Sequence, residues 1–184
     1  MIKIMKPTII YVSGAPGAGK TSLAKLLAEQ LYIHYISSDM VKGGLEFTYP
    51  GHDRQASIIN TFLPLLIDHA EKGISFVVDH VLQKDIAKTT IIQKLEPVAN
   101  VIYVHVQTTD PIKRYIERNQ NSELPDIIRR QELLKNRAEH HRNNLVNTAK
   151  VIDLGIPTIV VDTNDNYTPS LHEVIAYINE HKSF

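Results

Sequence analysis

The stretch Gly14-Ala15-Pro16-Gly17-Ala18-Gly19-Lys20-Thr21-Ser22 constrains this chain more than any other. Its glycines permit backbone conformations that side chains forbid, so consecutive N–H groups can turn to one side. The preceding segment, Thr8–Ser13 (TIIYVS), is β-branched and aromatic and reads as a buried strand. The following segment, Thr21–Tyr32, sets Leu23, Leu26, Leu27 and Leu31 at helical spacing. A strand, a glycine turn and a helix in that order build a concave patch of N–H groups at the positive end of a helix. Such a patch holds anions, and phosphate above all.

The spacing Gly14-x-x-x-x-Gly19-Lys20-Thr21 is the Walker A pattern, in the strand-to-helix context it requires. Residues 14–22 are therefore expected to cradle a nucleotide's phosphates. Lys20 would neutralise the β- and γ-phosphates, and the Thr21 hydroxyl would ligate Mg²⁺.

Beyond the loop, strand-like and helical segments alternate. His34–Asp39 reads as a second strand, and His52–Lys72 as a long helix that Pro64 should kink and Gly73 should stop. Gly73–Asp79 is a third strand and Lys84–Leu95 a shorter helix. Ala99–Gln107 is a fourth strand. Asp110 then caps a helix with Pro111 at its first position. After a second Arg-bearing helix, Pro157–Asp162 is a fifth strand and Ser170–His181 a closing helix. Five such alternations predict an α/β fold, a parallel sheet covered on both faces. A chain of 184 residues has the size of a single domain, spanning 1–184. The polar connection at 119–125 is the candidate lid.

Composition excludes some classes. The formal net charge is +0, where a packaging nucleic-acid binder carries a basic excess, so long nucleic acid is not an expected partner. There is no Cys, so disulfide and thiolate chemistry are absent, which fits a cytoplasmic protein. No apolar run approaches the length of a membrane span. The nine histidines show no metal-ligand spacing and read as surface residues, with His80 set apart by its place beside Asp79.

A phosphate loop with Mg²⁺ needs an acid nearby. Two strand ends offer one, Asp79 in SFVVD and Asp162 in TIVVD. Either could simply cap the turn that follows. Asp39 ends the second strand in SSDMVK, with Lys42 three residues on. Asp39 suits a general base, and it or Ser38 suits a helix cap. Lys42 suits either an acceptor contact or a solvated charge. Arg114 and Arg118 share one helix face ahead of 119–125, and Arg129 and Arg130 follow it. Arginines inserted near a transferred phosphoryl group neutralise its charge. Arg137 and Arg142 read as solvated helix charges.

Together these segments resemble the P-loop kinases of the nucleoside-monophosphate-kinase-like group. The nearest branch is that of the chloramphenicol phosphotransferases and the kinase domain of phage polynucleotide kinase. The resemblance is carried by GAPGAGKTS, SSDMVK, FVVDHVL, DPIKRYIERN and the ending TIVVDTNDNYTPSLHEVIAYI. It implies a three-layer P-loop NTPase fold with a five-stranded parallel sheet in the order 2-3-1-4-5. It further implies ATP and Mg²⁺ as cofactors, with Asp39 as base facing a small-molecule, nucleoside or nucleotide acceptor. Asp79, beside the loop, would hold the metal through water, with Thr21 as its ligand. Arg114 and Arg118 would stand near the nucleotide, and Thr163 and Asn164 near its ring. In the polynucleotide kinases an Arg stands at the place of Lys42 and contacts substrate phosphate. The expected activity is transfer of the γ-phosphate to a hydroxyl. The alternative is an acceptor-independent ATPase or regulatory module, which the missing NKxD motif and the lack of room for a small helical domain of the AAA type disfavour.

Overall fold

The computed structural model describes residues 6–49, 54–84, 87–120, 139–145 and 147–182. Five strands are present: β1 (Thr8–Gly14), β2 (His34–Ser37), β3 (Phe76–Asp79), β4 (Asn100–Gln107) and β5 (Thr158–Asp162). They form one parallel sheet in the order 2-3-1-4-5. β1 lies in the middle, so the loop that follows it opens at the carboxyl edge, where α/β sheets bind ligands.

Alternation along the strands sends side chains to two cores. Ile9, Tyr11, Phe76 and Val78 face one side, where they meet Phe62, Leu66, Ile92 and Leu95. Ile10, Val12, Val77 and Val104 face the other, against Leu23 and Leu27 of α1 (Lys20–Leu31) and Val174 and Ile178 of the closing helix Leu171–His181. The closing helix begins with a capping box between Ser170 and Glu173.

The long helix expected over 52–72 is described from Arg54 and comes in three pieces. Arg54–Ser57 is α-helical, Ile58–Phe62 is π-helical and Leu63–Glu71 is α-helical again. The Leu63 N–H bonds Ile58, five residues back. Pro64 has no N–H to give, and the turn before it widens. Gly73 does stop the helix, at φ 77°, with the Ile74 N–H bonding His69. The segment at 84–95 is also π-helical over Ala87–Ile92, then α-helical over Gln93–Leu95. Nothing in its sequence distinguishes that widening. Among the described residues no helix is long and apolar enough to cross a membrane. The candidate lid, beyond the backbone of residues 119 and 120, lies outside the described residues, as do Arg129, Arg130 and Arg137.

Candidate nucleotide and phosphoryl-transfer site

The glycine loop leaves β1 at Gly14 and enters α1 at Lys20. Gly14, Gly17 and Gly19 take φ values of 149°, 89° and 94°. At two of them space forbids a side chain as well: a Cβ on Gly14 would lie 2.0 Å from the Val106 carbonyl oxygen, and one on Gly17 would lie 1.8 Å from that of Pro111. Gly17→Ala is therefore expected to cost on the order of 3 kcal/mol of stability. Thermal denaturation checks this, and an unchanged melting temperature would contradict the packing.

Lys20 is almost buried at 8% exposure, and its Nζ donates to the Ala15 carbonyl at 3.0 Å. Burial pulls its ammonium from the ordinary 10.5 down to about 8. The carboxylates of Asp79 and Asp39 push the other way, and Arg118 adds to the lowering. Asp79, Asp39 and Arg118, from three other elements, thus all act on Lys20.

Thr21 Oγ1 donates to Asp79 Oδ2 at 2.7 Å, across β1 from α1 to the end of β3. Asp79 is 7% exposed. The other strand-end acid, Asp162, caps its own turn by accepting from the backbone and side chain of Asn164. A hydroxyl and a carboxylate beside a phosphate cradle are the hard-oxygen donors that Mg²⁺ takes, with substrate phosphates and water completing its shell. These residues fit the ion.

Asp39 sits in the first turn of helix α2 (Ser38–Thr48), which follows β2 directly. The N-cap position is Ser37, and its side chain makes no capping bond, so neither Ser38 nor Asp39 serves as the cap. The Asp39 side chain is 91% exposed and lies 3.4 Å from Lys42 Nζ. The two residues assigned to the acceptor side therefore stand together on one helix turn.

His80, set apart in the sequence by its place beside Asp79, is indeed not a surface residue. It is 8% exposed, its Nδ1 lies 3.0 Å from Ser38 Oγ, and its ring packs 5.4 Å from that of Phe62. Burial, with Lys42 nearby, drives its imidazole down to about 3, so it is neutral. It ties the end of β3 to the start of α2. His105 is also buried, between the Tyr103 hydroxyl and the Ala149 carbonyl.

A cavity of about 500 Å³ opens beside the loop, lined by Gly17, Gly19 and Ser22 on one side. Arg114, Glu117 and Arg118, with Thr163 and the 165–167 segment, complete it. Arg114 and Arg118 come from the helix Pro111–Gln120, whose cap bond runs from the Lys113 N–H to Asp110 Oδ1 as expected. The Arg118 guanidinium lies 5.9 Å from the Tyr115 ring centroid. Arg114 Nη1 donates to Thr163 Oγ1 at 2.9 Å, and Thr163 donates to the Ala18 carbonyl at 2.8 Å. Asn164 does not line this cavity. Its Oδ1 accepts from the Thr108 hydroxyl and from the Thr109 N–H and hydroxyl, and its Nδ2 donates to Asp162. It staples two loops, and the wall falls to Asp165, Asn166 and Tyr167 instead. Of residues 14–22, Gly17, Gly19 and Ser22 alone line this cavity, and Arg142 lines a separate hollow with Asp110 and Lys113.

This loop, on this sheet order with helices on both faces, defines the P-loop NTPase fold. The family model described as "ATPase family associated with various cellular activities (AAA)" matches residues 10–72, the segment from β1 through the helix after β2 and beyond. No curated protein matches the chain. Solved structures do match over nearly the whole length. A candidate kinase from Chloroflexus aurantiacus is 20% identical, with a TM-score of 0.70 and 96% of each chain covered. A gluconokinase from Sinorhizobium meliloti is 15% identical, with a TM-score of 0.63, covering 97% of this chain and 95% of its own. The APS kinase of Mycobacterium tuberculosis, solved with AMPPNP and APS, is 13% identical, with a TM-score of 0.65, covering 95% and 99%. At these identities the likeness carries the fold.

Proposed function

We propose that this chain is an ATP-dependent phosphotransferase acting on a hydroxyl of a small-molecule, nucleoside or nucleotide acceptor. The observation that carries the reading is the convergence on Lys20. A phosphate-loop lysine lies within electrostatic reach of Asp79, at the end of the neighbouring strand β3, and of Asp39, one strand further on after β2. Acceptor-independent hydrolysis has no use for a second, exposed carboxylate on its own helix turn beside Lys42.

In this reading ATP lies on residues 14–22, with its base toward Arg114, Thr163 and the 165–167 segment. Thr21 and Asp79 hold Mg²⁺, which supplies charge neutralisation to the phosphates. Asp39 takes the proton of the acceptor hydroxyl as its oxygen attacks the γ-phosphorus. The bond from that phosphorus to the bridging oxygen breaks, and ADP leaves. Lys20 and Arg118 neutralise charge on the transferred group. Lys42 faces the acceptor. The nearest branch remains that of the chloramphenicol phosphotransferases and polynucleotide kinases, as one domain over 1–184, in the cytoplasm. The kinase names of the structural neighbours support this reading.

The match of residues 10–72 to the AAA model favours a second reading, an ATPase without an acceptor. ADP release measured with and without a panel of sugars, nucleosides and nucleotides separates the two. A kinase gives slow basal release that one acceptor class stimulates, with phosphate appearing on that acceptor. Full-rate release with no acceptor, unaffected by any of them, favours the ATPase.

A further inference from the structure

Tyr35 lies outside every motif, yet its hydroxyl reaches the acid of the site. β2 pairs with β3 in parallel register, with Tyr35 opposite Val77 and Ser37 opposite Asp79. Residues two apart on a strand share a face, so Tyr35, Val77 and Asp79 all lie on the side that α1 covers. Tyr35 and Val77 do pack in that core. From this position the Tyr35 O–H donates to Asp79 Oδ2 at 3.1 Å. The same oxygen accepts from Thr21 at 2.7 Å. The ring itself is flanked by Lys25 of α1, whose Nζ lies 5.8 Å from the centroid. Among the described residues no donor is assigned to Asp79 Oδ1.

Two donors on one carboxylate oxygen, arriving from α1 and from β2, fix the rotation of the group and leave the other oxygen for an ion's shell. One donor alone would leave it free to turn. We infer that Tyr35 is a positioning residue that holds the Asp79 carboxylate in one rotation and so sets the affinity of the nucleotide complex for Mg²⁺. The inference rests on the reading of Thr21 and Asp79 as the metal's residues. Groups that orient a metal's carboxylate through a hydrogen bond are worth about 10- to 100-fold in metal affinity.

Tyr35→Phe removes one oxygen and keeps the ring, so the fold and the Lys25 contact are retained. The test is calorimetric titration of ATP into wild type, Tyr35→Phe and Asp79→Asn, in EDTA and across a Mg²⁺ series, with melting temperatures measured alongside. Binding is read directly and no turnover is required. The expected result is that Tyr35→Phe binds metal-free ATP and melts like wild type, while its ATP complex binds Mg²⁺ about tenfold more weakly. Wild-type Mg²⁺ affinity in Tyr35→Phe overturns the inference and leaves the metal site standing. An equal loss of metal-free ATP binding also overturns it, because Tyr35 would then only support the fold. A wild-type protein whose ATP affinity ignores Mg²⁺ overturns the metal reading itself, and this inference with it.

Discussion

Lys20→Met is expected to melt a few degrees above the wild type when no nucleotide is bound, and to lose ATP turnover. The two effects have one cause. The Lys20 ammonium is buried with the Ala15 carbonyl as its hydrogen-bond partner, and burial pulls it down to about 8. Folding the empty protein thus means desolvating a charge, which is unfavourable. Methionine matches the length of the stem and carries no charge. The Ala15 carbonyl keeps the Ala18 N–H at 3.0 Å, so nothing is orphaned. For a chain of this size each kcal/mol regained is worth about 2–4 °C.

The sign can be read from pH as well. Between about 8 and 10 the unfolded chain holds a proton on Lys20 that the folded chain has begun to release, so wild-type stability without nucleotide rises with pH. Burial raises the hydroxyls of Tyr11 and Tyr35, so above about 10 the unfolded tyrosines ionise first and the trend reverses. Lys20→Met should lack the rise. With ATP bound, phosphate supplies the missing counter-charge. The variant forfeits that, and turnover should drop by about 10²-fold or more. Denaturation curves at several pH values and an ADP-release assay check both halves. A variant that melts lower, or that turns over ATP at the wild-type rate, contradicts this account of Lys20.

Asp39→Asn is expected to remove transfer and leave nearly everything else. The side chain is 91% exposed and its contact is the 3.4 Å pair with Lys42, so the fold loses only a favourable charge at a helix start, about 0.5 kcal/mol. The amide cannot take a proton from the acceptor. A positioned general base is worth about 10²–10⁴-fold, and transfer should fall by that much. ATP affinity and melting temperature should stay near wild type. Phosphorylated acceptor, quantified beside ATP binding by calorimetry, separates the effects. Transfer at the wild-type rate would remove Asp39 from the chemistry.

The parts of the site that are local in the chain were readable from it. The glycine loop depends on spacing within eight residues. Asp79 was singled out only through the strand order that the resemblance implies, which sets the third strand beside the first, as the sheet does. Tyr35 was not readable. Its bond to Asp79 depends on how β2 registers against β3, a relation between segments 44 residues apart. The bonds of Asn164 were not readable either, since Thr108 and Thr109 reach its side-chain oxygen from another loop. Pro64 announced a disturbed helix, and the disturbance takes the form of a π-helical turn over Ile58–Phe62. His80 stood out in the sequence only by its place beside Asp79. Its burial needs Ser38 and Phe62, brought to it by two other elements.

The Thr163 hydroxyl joins the guanidinium of Arg114 to the backbone of Ala18, 145 residues earlier in the chain. The phosphate cradle is written in the first eighth of the sequence and braced from the last quarter. A fragment that ends before β5 keeps every residue of the cradle and loses the hydroxyl against which it rests. The smallest piece of this protein able to grip a nucleotide properly is thus far larger than the motif that advertises the grip.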